Sequence, residues 1–215
     1  MTDKQRLVIG ISGASGLPIA EQLLKKLAEV DGWETHLVIS RGGEKTVHAE
    51  AGCTLRELKE MADVSYSIDD LGASIASGTF KTSGMVIVPC SMKTVAGIAN
   101  GFSDNLLLRA ADVTLKEGRK LVLVARETPM SWIHLRNLST LAQLGAIIMP
   151  PMLTFYNHPQ TIDDMVTHIV GKILDRFGVE VASTIVPPFI MCPVCTMTRL
   201  IASKNNLFRP FVSKR

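Results

Sequence analysis

The sequence predicts an α/β protein, a parallel β-sheet with helices on both faces. Three observations predict it. Short, continuously apolar runs alternate with amphipathic stretches from residue 6 to residue 178, the pattern of strands buried on both faces. The apolar runs lead into Gly, Ser or Pro, the residues that turn a strand into a helix. With 215 residues, 47% of them apolar and 20% charged, the chain can bury a two-sided core in one domain.

Each element follows in order. Residues 6–12 (RLVIGIS) form a buried strand and residues 13–16 its turn. Residues 17–30 carry apolar side chains at 19, 20, 23, 24, 27 and 28, which is helical spacing. Residues 35–40 (THLVIS) and 85–90 (MVIVPC) are strands two and three. Residues 104–117 make a helix, capped by Ser103 or Asp104 and ended by Gly118. Residues 120–125 (KLVLVA) are strand four, 131–144 a helix closed by Gly145, and 146–149 strand five. Thr161 and Asp164 have the spacing of a capping box, opening a helix that runs to Phe177 with Gly178 beyond it. Residues 62–84 show no clear period and are rich in Ser, Gly and Ala. They read as a long loop, and a loop of that length suggests a functional role. Residues 1–178 form one domain. Residues 179–215 contain Pro187, Pro188, Pro193 and a basic end, and read as a tail that wraps a neighbouring subunit or is partly disordered.

Several classes are excluded. A net charge of +3 is too small to attract nucleic acid, and 5% aromatics are too few for base stacking. No apolar run reaches the roughly 18 residues that span a membrane. Met1 to Lys4 lead straight into a strand pattern without the regions of a secretory signal, so a cytoplasmic protein is expected. Four cysteines in a reducing compartment do not predict a disulfide framework. The Cys192–Cys195 pair supplies two ligands where zinc needs four, so free thiols are expected.

The first strand ends in Gly10, Gly13 and Gly16, with Ser12 and Ser15 between them, and a helix follows. Small residues let the backbone approach a phosphate, and amides at the helix start supply donors. A Gly-rich turn alone does not separate this from a tight strand-to-helix turn. The spacing G-x-x-G-x-x-G is not the dinucleotide pattern, and Ser40-Arg41 stands where a dinucleotide site usually has an acid. A mononucleotide is favoured. Pro89-Cys90-Ser91-Met92-Lys93-Thr94 repeats the strand-turn-helix arrangement beside it, bringing hydroxyls and open amides together a second time.

Arg109, Asp112 and Lys116 share one helix face. Taken alone, they read better as a surface ion-pair ladder. Arg126 and Glu127 directly follow strand four, at the end of the sheet where ligands sit, so Arg109, Lys116 and Arg126 are expected to face an anion together. Tyr156 follows strand five at the same end.

Taken together, Gly13-Ala14-Ser15-Gly16, the turn from Pro89 to Thr94, Arg109-Ala110-Ala111-Asp112, Leu115-Lys116-Glu117, the run from Leu123 to Pro129, Ile133-His134-Leu135 and Phe155-Tyr156-Asn157-His158-Pro159 resemble the UbiX-like flavin prenyltransferases. The likeness covers about residues 6–178 and is strongest to the branch encoded beside non-oxidative aromatic acid decarboxylases. It implies a flavodoxin-like, Rossmann-type fold in trimers grouped into dodecamers. It implies FMN contacts at Gly13, Ala14, Ser15, Ser40, Ser91, Met92, Lys93, Thr94 and Arg126. Dimethylallyl phosphate would meet Tyr156 and Lys172, with Arg109 and Lys116 near its phosphate. Reduced FMN would bond to the prenyl carbon through N5 and then C6, with no metal. Ser15 would lie near N5, and Glu50 and Glu127 would be the acid–base candidates. The prenylated FMN would pass to a UbiD-like decarboxylase. Two positions depart from the family. Lys172 replaces the usual Arg and loses a bidentate phosphate grip, and Leu71 stands where many members carry Trp.

Three other functions compete. A flavin-dependent cysteine decarboxylase of the same fold is disfavoured, because Pro150-Pro151-Met152-Leu153 lacks the Asn of that group's Pro-x-Met-Asn motif. A non-catalytic FMN carrier or assembly subunit of a decarboxylase would bind FMN without turnover. Direct decarboxylation of aromatic acids would need no partner.

Overall fold

The computed structural model describes residues 4–179. Six parallel strands, β1 (Gln5–Ile11), β2 (Trp33–Ile39), β3 (Val64–Tyr66), β4 (Gly84–Cys90), β5 (Lys120–Ala125) and β6 (Ile147–Ile148), form one sheet in the order β3-β2-β1-β4-β5-β6. The chain builds outward from β1 to β3, crosses back to β4 on the other side of β1, and builds outward again. The order therefore reverses between β1 and β4, which opens a crevice at their carboxyl ends.

Among the described residues six α-helices connect the strands, α1 (Leu17–Ala28), α2 (Arg41–Glu50), α3 (Leu55–Glu60), α4 (Met92–Ala99), α5 (Leu106–Lys116) and α6 (Trp132–Gln143), and α7 (Ile162–Phe177) follows β6. Two apolar clusters flank the sheet. On one face α1 and α7 bury Leu23, Leu24, Ile173 and Leu174 against β1, β2, β4 and β5. On the other, α4, α5 and α6 bury Val95, Leu106, Leu107 and Leu141. Strands β1, β2, β4 and β5 are almost wholly buried, which explains their unbroken apolar sequences.

The expected strands and helices are present with ends shifted by one or two residues. The cap of α5 is Asn105, whose side chain accepts from Leu108 N–H, rather than Ser103 or Asp104. The capping box of α7 forms between Thr161 and Asp164, and Gly178 ends the helix at φ 75°. Two elements depart from the sequence pattern. The segment 62–84 is not all loop: it contains β3 and a 3₁₀ turn at Ser74–Ala76. A three-residue edge strand is too short to establish a period. Residues 41–60 fold into α2 and α3, although α2 contains Gly42 and Gly43 and buries only Gly43 and Val47. Among the described residues Cys53 and Cys90 are free thiols, and no helix is long and apolar enough to cross a membrane. Of the expected tail only Val179, buried against the core, is described; residues 180–215 and the Cys192–Cys195 pair lie outside the described residues.

Candidate active site

The loops after β1 and β4 are joined by one buried hydroxyl. Ser12 Oγ donates to the Pro89 carbonyl at 3.0 Å and accepts from Ser91 N–H at 2.7 Å. The Ser12 amide also donates to the Pro89 carbonyl, at 3.1 Å. Nothing in the sequence marks Ser12 apart from its place at a strand end. The loop after β2 closes on the same point. A Cβ on Gly13 would lie 3.0 Å from the Gly42 backbone, so the two loops approach as closely as glycine allows.

Two helices start at this crevice. Ser40 Oγ accepts from Gly43 N–H to cap α2. The first two amides of α2, those of Arg41 and Gly42, have no acceptor within the helix. Ser91 caps α4 in the same way, accepting from Thr94 N–H and bonding the Thr94 hydroxyl at 3.1 Å. Between them lies a cleft of ≈ 360 Å³, lined by Gly13, Ser40, Gly42, Ser91, Lys93 and Thr94, and by Asn105, Leu107 and Leu108 at the start of α5. Ile68 and Asp69 close one side from the loop after β3. Arg41 donates to both Asp69 carboxylate oxygens, at 3.0 and 3.1 Å, joining two walls of the cleft. Asp69 and Asn105 carry no motif signal, and only the folded sheet brings them to this crevice.

The start of α1 is capped by a residue distant in the sequence. Gly16 is its cap, at φ 120°, and has no side chain to bond the first amides. The Glu50 carboxylate does this instead, accepting from Gly16 N–H at 2.9 Å and Leu17 N–H at 3.2 Å. Burial pushes the Glu50 carboxyl up. Hydrogen bonds from Gly16, Ser15 and Leu17, with the charge of Arg126, outweigh burial and hold it below the ordinary carboxylate range. The anion at this helix start is the protein's own.

The remaining sequence-derived residues fall into separate groups within one chain. Gly13, Ser40, Ser91, Lys93 and Thr94 line the cleft, and Ala14 and Ser15 follow Gly13 on the same loop. Met92 is buried, with its side chain in the core beneath α4. Arg126 is exposed at the β5 end, where its amide donates to the Cys90 carbonyl at 3.0 Å. Glu127 accepts from Thr128 N–H at 3.0 Å. Arg109 pairs with Asp112 at 2.9 Å on the second turn of α5. Lys116 pairs with Glu117 at the far end of that helix, before β5 begins. The six residues of β5 span about 20 Å, so Lys116 does not face the same anion as Arg126 in one chain. The expected cationic cluster is divided because α5 runs antiparallel to the strands. Tyr156 lies after β6, where its hydroxyl reaches His168 Nε2 at 3.4 Å, and Lys172 is exposed one helical turn further along α7. Neither Tyr156 nor Lys172 lines the cleft.

Comparison with known proteins places this geometry. Residues 1–174 match the model of the Flavoprotein family. The flavin prenyltransferase LpdB of Lactiplantibacillus plantarum is 57% identical over 82% of this chain and 94% of its own length. A dodecameric FMN-dependent UbiX-like decarboxylase from Escherichia coli O157:H7 superposes with a TM-score of 0.81 at 49% identity, covering 82% of this chain and 96% of that one. AnUbiX (PadA1), solved with FMN and dimethylallyl pyrophosphate, superposes with a TM-score of 0.81 at 43% identity, over 82% and 94% of the two chains. The fold, the switch-point cleft and these likenesses agree: the chain belongs to the flavoprotein family and, within it, to the UbiX-like flavin prenyltransferases.

Proposed function

We propose that this chain joins a dimethylallyl group from dimethylallyl phosphate to N5 and C6 of reduced FMN, releasing phosphate. The observation that carries the proposal is the cleft between the starts of α2 and α4. Its residues fit FMN. Gly13 and Gly42 form a wall without side chains, against which a flat ring system can lie. The first amides of α2, with Lys93 and the hydroxyls of Ser40, Ser91 and Thr94, suit a phosphate. Reduced FMN, when bound, supplies the nucleophile.

The chain's own groups manage charge and protons around it. Glu50 is ionised at neutral pH and bonded to Ser15, which suits it to accept a proton rather than to donate one. Glu127 is the second acid–base candidate. Arg109, Lys116 and Lys172 are assigned to the donor's phosphate, with Tyr156 as a hydroxyl partner. These groups stand apart in one chain, which supports a site completed between subunits of a trimer-based, dodecameric homo-oligomer. Exposed Trp132, Ile133 and Leu135 on α6, and Met152, Leu153 and Phe155 after β6, give such an assembly its apolar contacts. The proposed setting is the cytoplasm, and the proposed recipient of prenylated FMN is a UbiD-like aromatic acid decarboxylase.

The test is anaerobic incubation of the protein with reduced FMN and dimethylallyl phosphate, followed by a mass spectrum of the released flavin. A flavin heavier by one dimethylallyl unit is expected. Unchanged flavin with both the monophosphate and the diphosphate would overturn the proposal and favour the second reading, a non-catalytic FMN carrier. That reading draws on exposed Lys172 and half-exposed Leu71, which both depart from the resembled family, and on the tail, which does not match it.

A further inference from the structure

Tyr156 stands on an irregular loop and is 46% exposed. Its hydroxyl meets His168 Nε2 at 3.4 Å. The two rings also pack edge to face, with centroids 5.9 Å apart and planes at 85°. The two residues differ in how firmly they are mounted. His168 projects from α7, whose first turn is fixed by the Thr161–Asp164 box. The next positions, Ile169 and Val170, are buried in the core with Leu23 and Leu24 of α1. Lys172 lies four residues beyond His168, on the same helix face. Burial and then the Lys172 charge hold the imidazole below the ordinary histidine range. At neutral pH it is therefore uncharged, able to bond a phenol without competing with Lys172 for an anion.

We infer that His168 is a positioning residue, which sets the Tyr156 phenol beside Lys172 at the phosphate end of the prenyl donor. The inference rests on the proposal that Tyr156 and Lys172 meet that phosphate. A phenol tethered to a rigid helix surrenders less freedom when substrate binds than one on an untethered loop. The contribution belongs to donor binding, not to FMN binding or to the proton steps.

Two variants separate positioning from packing. His168→Phe keeps a ring against Tyr156 and removes the hydrogen bond. His168→Gln keeps a polar partner at similar reach. Dimethylallyl phosphate is titrated calorimetrically into the FMN-loaded full chain, and KM and kcat are measured in parallel. His168→Phe is expected to raise Kd and KM for the donor about tenfold, with FMN affinity and kcat within about twofold. His168→Gln is expected to restore most of the loss. Unchanged donor Kd and KM in an active His168→Phe protein would overturn the inference alone. So would equal losses in both variants accompanied by weaker FMN binding, which mark a structural role. A wild-type protein that makes no prenylated flavin overturns the underlying proposal, and the inference falls with it.

Discussion

Glu50 accepts a hydrogen bond from the amide of Gly16 at 2.9 Å, although the two are 34 residues apart. Gly16 adopts φ 120°, a backbone that a side-chain-bearing residue rarely takes, so the first helix starts on a residue that cannot cap it. The carboxylate from the end of α2 replaces the missing cap and complements the helix dipole. It also ties α2, which borders the cleft, to the loop that carries Gly13 and Ser15.

Replacing Glu50 by Gln should therefore cost stability, by about 1 kcal/mol. The pH dependence has a definite sign. The folded pKa lies below the unfolded one, so the stabilisation is complete above the ordinary carboxyl value of about 4.3 and is lost as pH falls through the folded pKa. Thermal melts from pH 7 to pH 3 should show wild type converging on Glu50→Gln at the acid end. Parallel curves would mean that the charge contributes nothing at the helix start.

Gly13→Ala places a methyl 3.0 Å from the Gly42 backbone, which has no rotamer with which to move aside. A stability loss of about 1–3 kcal/mol is expected. FMN affinity, followed by quenching of flavin fluorescence, should fall at least about tenfold. Normal flavin binding by this variant would show that the Gly13–Gly42 approach is not a wall of the site.

Lys172→Arg introduces the planar fork that matches a phosphate bidentately. KM for dimethylallyl phosphate should decrease severalfold while FMN affinity stays constant. A KM that rises or does not change would detach Lys172 from the donor phosphate.

His36 is buried in β2, with Nδ1 2.8 Å from the Tyr66 hydroxyl and Nε2 3.2 Å from Glu34. Burial lowers its pKa; Glu34 and Asp63 oppose the shift without reversing it, and Arg6 adds to it. Because the unfolded chain takes up the proton first, this residue's contribution falls as pH drops below about 6.5. The melting temperature should decline between pH 7.5 and pH 5.5, and decline less in His36→Gln. Equal slopes would show that protonation of His36 is not coupled to unfolding.

Trp132 is 70% exposed and Phe155 67% exposed in the single chain. Large apolar side chains grouped at a surface favour burial in an assembly. Trp132→Glu with Phe155→Asp should shift the protein to a smaller species in light scattering, and should weaken donor binding if the site lies between subunits. An unchanged mass would place the assembly contacts elsewhere.

The parallel sheet was legible because β1, β2, β4 and β5 are buried on both faces and therefore apolar throughout. Both ends of α7 and the end of α5 were legible because the chemistry of Thr161, Gly178 and Gly118 is local, whereas the start of α5 was not, since Ser103, Asp104 and Asn105 can all cap a helix. The three-residue β3 was not legible, since an edge strand that short has no period. Nor was α2, whose two glycines and exposed charges hide its single buried stripe. The close backbone approach of the loops after β1 and β4 could be read individually, because glycines or hydroxyls follow each strand there. Their mutual arrangement could not.

What the sequence by itself determined was local chemistry: the long buried strands, the caps of α7 at Thr161 and Gly178, and the glycine- and hydroxyl-rich turns after β1 and β4. Tertiary structure alone decided that Ser12 joins the β1 and β4 loops, and that the Glu50 carboxylate bonds the amides at the start of α1. The physical reason is range. Caps, turns and periodicity act over a few residues, whereas these relationships join segments 34 and 79 residues apart, which only the assembled sheet brings together. That assembly is set by the summed burial of two apolar faces and not by any one motif.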